Sequence, residues 1–241
     1  DGVEVGDLYV LDGTEGRHAG IVQRRGEGER VDVVDGLGVR LETLVEATSS
    51  HGLELRVVAR SIEPAPDPAF VLVQALAKGD RDELAVEAAT ELGVDVVVPW
   101  QAQRSIVVWR GQRAAKSQAR WRATVRSAVK QSRRARKPLV EDAVDLRALV
   151  RRVEGAVAAG GVALVLHETA SARTAQALAA AREARGEVIV VVGPEGGITE
   201  EELAALTGAG ALAVRLGPHV LRTSTAGPAA LALLSLELRA W

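Results

Sequence analysis

The spacing of apolar residues changes character near residue 70. Before it come four short runs rich in β-branched and apolar residues: LYVL at 8–11, RVDVV at 30–34, VRLETLVEA at 39–47 and LELRVVA at 53–59. Alternating apolar and polar positions turn one face of such runs toward a core, and the Asp12-Gly13 and Asp35-Gly36 pairs between them are turn signals. A small β-barrel or sandwich is expected, of about sixty residues, a size that is marginal alone. The stretch SIEPAPDPA at 61–69 then places prolines at 64, 66 and 68, so it can neither continue a helix nor pair as a central strand. The predicted organisation is a β domain at 1–63, a linker at 64–69 and a second domain at 70–241.

In the second domain, unbroken apolar runs alternate with helical patterns. FVLVQAL (70–76), VDVVVPW (94–100), VALVLH (162–167), EVIVVVG (187–193) and ALAVRLG (211–217) read as strands buried on both faces, which is the mark of a parallel sheet. Helices are predicted over 80–92, 113–131, 174–185 and 199–207, three of them stopped by Gly93, Gly186 and Gly208. Pro228 is expected to open a last helix running toward Leu238. The fold class is therefore α/β, with helices covering a mostly parallel sheet.

Composition narrows the function classes. Hydrophobic residues make up 47% of the chain, yet no run approaches the roughly 20 apolar residues of a membrane span, and no signal-peptide pattern opens it. A soluble, cytoplasmic protein without membrane association is expected. The chain opens on Asp1 and holds no methionine, so its natural start is expected to lie outside this sequence. Without cysteine there are no disulfides and no thiolate metal ligands. The four histidines, His18, His51, His167 and His219, have no metal-site spacing, and metal chemistry is not expected. No G-x-S-x-G nucleophile elbow occurs.

The net charge of −2 hides a strong segregation. From Arg104 to Lys137 there are twelve Lys or Arg residues and no Asp or Glu. In the helix predicted over 113–131, Ala114, Trp121, Val125 and Ala128 fall on one face, with basic residues over the rest. A solvated face is the plain alternative, but ordinary faces mix signs, so nucleic-acid contact is favoured. The candidate contacts are Arg104, Arg113, Lys116, Arg120, Arg126, Lys130, Arg133, Arg134 and Arg136. Arg17 and Arg24 of the small domain, near His18 and Arg25, could extend that surface. The aromatics (Trp100, Trp109, Trp121, Trp241, Tyr9 and Phe70) are too few for an extended base-stacking platform, and Trp121 reads as core.

The glycine-rich stretch VVGPEGGITEEEL at 191–203 joins an apolar strand to a helix that Thr199 and Glu202 can open as a capping box. Ligands in open α/β sheets bind beyond the carboxyl ends of the strands, where GPEGG is placed. Neither G-x-x-x-x-G-K-[ST] nor G-x-G-x-x-G occurs. Glu195 would repel a phosphate, and nothing near it in sequence neutralises it, so a cationic or neutral ligand such as a sulfonium fits better. The alternative is that the glycines only make a tight strand-to-helix turn.

GPEGGIT, LG-x-x-VLRT followed by Ser, Thr and Ala, KGDRDELAVEAATELGV (78–94), and QRS (103–105) with QSRRARKP (131–138) together resemble the RsmE-type 16S ribosomal RNA uridine N3-methyltransferases of the SPOUT class. The resemblance spans nearly the whole chain. It implies a C-terminal trefoil knot, a PUA-like N-terminal β-barrel, a homodimer, S-adenosyl-L-methionine as cofactor, and 16S ribosomal RNA or the assembled small ribosomal subunit as partner. The cofactor pocket it implies has three loops: Leu166, His167 and Glu168; Gly193, Pro194, Glu195, Gly196 and Gly197; and Leu216, Gly217, Val220, Leu221 and Arg222. Arg222 is also the candidate catalytic residue, supplying positive charge near a uracil anion. This chain has Ser224 where the family often has an acidic residue. The alternatives are a SPOUT methyltransferase acting on another RNA or atom, and a non-catalytic RNA-binding protein of ribosome assembly.

Overall fold

The computed structural model describes residues 2–22, 24–49 and 52–239; His51 and Trp241 lie outside the described residues. The chain divides into two compact units, Asp1–Ala65 together with Arg134–Arg136, and Pro66–Arg133 together with Lys137–Trp241.

In the first unit, strands β1 (Leu8–Leu11), β2 (Arg30–Val34), β3 (Val39–Thr48) and β4 (Leu53–Ile62) form one antiparallel sheet in the order β1-β4-β3-β2. Alternation decides its faces: Leu41, Thr43 and Val45 of β3 and Leu53, Leu55 and Val57 of β4 are buried, one residue in two. Asp35 does turn the chain, its carboxylate accepting from the Leu37 and Val39 amides at 2.6 and 3.0 Å. Asp12-Gly13 does not close a hairpin. It opens helix α1 (Gly13–Arg17), which continues into a π-helical turn (His18–Val22), and β1 pairs with β4 instead of its neighbour in sequence.

The second unit holds a seven-stranded sheet of β5 (Ala69–Ala75), β6 (Val96–Trp100), β7 (Leu139–Val140), β8 (Val162–Leu166), β9 (Ala172–Arg173), β10 (Glu187–Val192) and β11 (Leu212–Arg215). Its order is β7-β6-β5-β10-β8-β11-β9, and every pairing is parallel. Alternate residues feed opposite faces. Phe70, Leu72, Val188 and Val190 point into one apolar cluster, and Val71, Val73, Ile189 and Val191 into the other. The first is covered by α2 (Arg81–Glu91), α3 (Gly111–Gln131), α5 (Thr174–Glu183) and α7 (Thr223–Leu238), the second by α4 (Leu146–Ala158) and α6 (Glu200–Gly208).

The two-residue strands β7 and β9 have no counterpart among the apolar runs, and helices α4 and α7 differ from the sequence expectation. Helix α4 was not anticipated, although Asp145 caps it by accepting from Ala148 N–H at 2.8 Å and Leu146, Leu149, Val150, Val153 and Val157 form its apolar stripe. Helix α7 starts at Thr223, five residues before the proline taken as its opening, so Pro228 lies inside it and forfeits the bond its N–H would have made to Ser224. The segment Arg222–Thr225, expected as irregular chain, is therefore the cap and first turn of a helix. Among the described residues no helix is long and apolar enough to cross a membrane.

Candidate active site

Strand β10 is inserted between β5 and β8, so the loops leaving the carboxyl ends of β8, β10 and β11 converge on one crevice. It holds a cavity of about 360 Å³, within the range of small-molecule sites. Leu166, His167 and Glu168 line it from the first loop, Gly193, Pro194 and Glu195 from the second, and Val220, Leu221 and Arg222 from the third. Gly196, Gly197, Leu216 and Gly217 are not part of its lining.

The second loop shows what its glycines do. A Cβ at Gly193 would stand 2.6 Å from Ile198 Cγ1, and one at Gly196 would stand 3.0 Å from Arg104 Cβ. Gly197 has φ +75°, in the left-handed region that side chains avoid. The Arg104 guanidinium donates to the Gly196 carbonyl at 3.0 Å. These glycines thus admit neighbouring protein groups to the loop. Helix α6 follows through the capping box expected from sequence: Thr199 Oγ1 accepts from Glu202 N–H at 3.2 Å, and Glu202 Oε2 accepts from Thr199 N–H at 2.9 Å. The wholly buried Glu202 also accepts from Gln103 N–H at 2.7 Å.

Glu195 corrects the electrostatic argument drawn from the sequence. Its Oε1 accepts from Lys78 N–H at 3.0 Å and from Arg81 Nη1 at 2.9 Å. Desolvation raises its pKa, but its own backbone amide, the Lys78 amide and the Arg81 guanidinium outweigh that and hold it below its ordinary value. A cation more than a hundred residues away in sequence neutralises this carboxylate, so Glu195 braces its loop to the start of α2 while it lines the cavity, and is not an unpaired charge. Behind the brace, Asp82 is buried and accepts from Glu83 N–H at 2.8 Å and Ala77 N–H at 3.4 Å. Desolvation pushes its pKa up to about 6, against the Ala77 amide, its own backbone amide and the Arg120 charge.

In the first loop, His167 Nδ1 accepts from Thr169 N–H at 3.3 Å, which commits that nitrogen to a local turn. In the third, the Leu216 carbonyl accepts from Thr174 Oγ1 at 2.8 Å. Arg222 occupies the N-cap position of α7 and is exposed in the lining of the cavity. Arg81, Val192, Ile198, Thr223 and Ala226 also line the cavity and were missed. Arg81 lies in the quoted KGDRDELAVEAATELGV stretch, and an isolated Arg on a helix gives no signal of its own. Among the described residues no group of three His, Asp or Glu side chains could hold a metal ion.

The family profile described as an RNA methyltransferase domain matches residues 64–235. Ribosomal RNA small subunit methyltransferase E of Mycobacterium bovis is 48% identical over 238 residues, which cover 99% of this chain and 90% of that one. The chain belongs to the ribosomal RNA small subunit methyltransferase E family of RNA methyltransferases. The Bacillus subtilis protein of the same name is 28% identical, covering 98% of this chain and 92% of its own. A crystal structure of the Neisseria gonorrhoeae family member bound to S-adenosyl methionine superposes with a TM-score of 0.84 at 30% identity, covering 98% of this chain and 94% of that one.

In this family member the basic segment is partly neutralised by acids that lie outside it in sequence. Arg120 pairs with Glu83 of α2, and Arg122 lies 4.0 Å from Asp142. Arg104 is held on the Gly196 carbonyl, and Arg136 donates to the carbonyls of Glu63 and Pro64 at 2.8–2.9 Å within the first unit. Arg113, Lys116, Arg126, Lys130 and Arg133 are exposed, and Arg134 is half-buried. Trp121, Val125 and Ala128 are buried, and the Trp121 ring meets Trp109 edge-on at 5.3 Å. Arg17 is exposed, donating to Gly13 O at 3.2 Å, and Arg24 is exposed with φ +53°.

Proposed function

We propose that this protein transfers a methyl group from S-adenosyl-L-methionine to N3 of a uridine in 16S ribosomal RNA. The observation that carries the reading is the cavity itself: three loops, separated by long stretches of chain, meet at the carboxyl ends of adjacent parallel strands in a chain belonging to this family. Leu166, Val192, Ile198, Leu221 and Ala226 offer apolar walls for an adenosine, and the backbone of Gly193 and Pro194 offers polar edges. The residues present therefore fit the donor. We assign Leu166, His167, Glu168, Gly193, Pro194, Glu195, Val220, Leu221 and Arg222 to direct contact, and Gly196, Gly197, Leu216 and Gly217 to shaping the loops.

The bound donor supplies a methyl group already activated by its sulfonium. The protein's part is alignment and charge. Uracil N3 must lose its imide proton, and that position is blocked in a paired base, so the target is unpaired or flipped out. Arg222 holds positive charge at the cavity, where it stabilises the uracil anion as it forms. The loops, braced by Arg81 and Arg104, keep the reacting groups in line.

The remaining parts of the reading rest on the family resemblance. The C-terminal segment from β11 to α7 is taken to thread as a SPOUT trefoil knot. The sheet of the first unit, assigned to residues 1–63 ahead of a linker at 64–69 and a methyltransferase domain at 70–241, is taken as a PUA-like RNA-binding barrel. The working form is a cytoplasmic homodimer acting on 16S ribosomal RNA or the assembled subunit. Arg113, Lys116 and Arg126 are the foremost RNA contacts, and Arg17, Arg24, Arg120, Lys130, Arg133 and Arg134 are further candidates.

The test is nucleoside mass spectrometry of ribosomal RNA after incubation with the protein and labelled donor, using both naked RNA and small subunits. Label in N3-methyluridine is the expected result; label on another atom, or none with either substrate, overturns the assignment. Arg222→Ala should lower turnover by roughly a hundredfold or more. Full turnover by that variant would remove Arg222 from the mechanism.

A further inference from the structure

Gln74 is the polar residue in the strand AFVLVQA, and its side chain is wholly buried. Its Nε2 donates to Thr223 Oγ1 at 2.8 Å, and the Thr223 hydroxyl donates to the Gly193 carbonyl at 2.8 Å. Reversing the amide would set Gln74 Oε1 against the Ala75 carbonyl, to which Nε2 also donates at 3.3 Å, and would draw the Thr223 proton off Gly193. In the orientation present, Oε1 has no hydrogen-bond partner among the described residues.

This arrangement is costly as packing. A leucine and a valine of similar shape would fill the same space and remove the buried, unsatisfied Oε1, while the Gly193 carbonyl, which would lose its donor, is only half-buried at the cavity and can accept from water. What the polar relay supplies is a defined placement, since a buried hydrogen-bond chain admits fewer arrangements than an apolar contact. It ties together the end of β5, the loop after β10 and the first residue of α7. A second contact acts at the same junction: a Cβ at Gly227 would stand 2.8 Å from Leu72 Cδ1 and 3.4 Å from Val192 Cγ2, so α7 is seated directly on β5 and β10. Arg222 immediately precedes Thr223, at the N-cap of α7.

We propose that Gln74 and Thr223 are positioning residues for methyl transfer, fixing where Arg222 and the amino end of α7 stand relative to the loop that follows β10. The inference rests on reading the cavity as the methyl-donor site. Neither residue acts on the reacting atoms. Their effect passes through the placement of Arg222 and Gly193.

The experiment compares wild type with Thr223→Val, Thr223→Ser, and Gln74→Leu combined with Thr223→Val. Each is measured for S-adenosylmethionine affinity by calorimetry, for kcat and RNA KM in single- and multiple-turnover assays, and for thermal midpoint. The double variant should melt no lower than wild type, with kcat reduced roughly ten- to a hundredfold and RNA KM little changed. Thr223→Ser, which keeps the hydroxyl, should restore most of the turnover lost in Thr223→Val. Wild-type kcat in the double variant, a kcat loss that follows a lowered midpoint, or a Thr223→Ser as impaired as Thr223→Val would overturn the proposal. A wild-type protein that binds no donor would instead overturn the reading of the cavity, so the two failures are told apart.

Discussion

Arg81 meets Glu195 at 2.9 Å across the mouth of the cavity, joining the first turn of α2 to the loop after β10. The Arg81 side chain is 47% exposed, so the pair adds little to global stability, about 1 kcal/mol or less. Its consequence is local. Arg81→Ala should leave the thermal midpoint nearly unchanged and weaken donor binding roughly three- to tenfold, because the loop must then be ordered on binding. The lowered pKa of Glu195 makes the brace complete above the ordinary carboxylate range and lost as pH falls through the depressed value. Titration of donor affinity should therefore show its acid limb at higher pH in Arg81→Ala than in wild type. An unchanged affinity and limb would reduce the contact to a surface ion pair.

Asp82 behaves in the opposite sense. Its pKa of about 6 lies above its ordinary value of 3.8, so the folded state binds the proton more tightly than the unfolded chain does. Ionising it costs stability as pH rises between those two values, by no more than about 3 kcal/mol. Asp82→Asn should therefore gain on wild type across that interval and hold a constant difference above it. Denaturant melts at a series of pH values check this, and parallel curves would refute it.

Arg239 anchors the end of α7. It donates to the carbonyls of Gly93 at 2.7 Å and Pro68 at 2.8 Å, pairs with Asp95 at 2.5 Å, and stacks 3.7 Å above the Phe70 ring. Asp95 also accepts from Phe70 N–H at 2.8 Å, so losing the arginine takes a cationic partner from a carboxylate in a mostly buried place. Arg239→Ala should cost roughly 2–3 kcal/mol, a fall of about 5–10 °C in the thermal midpoint. Arg239→Lys should recover only part, since ammonium cannot fork to several acceptors in one plane. Calorimetric melts decide it.

The basic residues should separate into two behaviours. Lys116→Glu or Arg126→Glu, on the exposed face of α3, should weaken RNA binding and lower its salt slope by about one per lost phosphate contact. Arg136→Ala should instead lower stability, because its guanidinium is spent on the Glu63 and Pro64 carbonyls. Binding isotherms at several salt concentrations, beside melts of the same proteins, distinguish the two.

Much of this was legible along the chain because it depends on short-range regularities. Apolar runs marked the five longer strands of the parallel sheet, Gly93 and Gly186 marked ends of elements, and Thr199 with Glu202 closed the capping box that three-residue spacing implies. Helix α4 is equally legible, from the Asp145 cap and its apolar stripe. Pro228 misled because proline favours a first turn, whereas α7 tolerates it one turn further in.

By itself the sequence determined the secondary elements and the family, since periodicity, capping and motif order are carried by neighbouring residues. Tertiary structure alone decided which charges are spent and which remain. Arg81 neutralises Glu195 from 114 residues away, Glu83 takes up Arg120, and Gln74 reaches Thr223 across 149 residues. Such pairs leave no local pattern, because their partners meet only once the parallel sheet and the helices on it have packed.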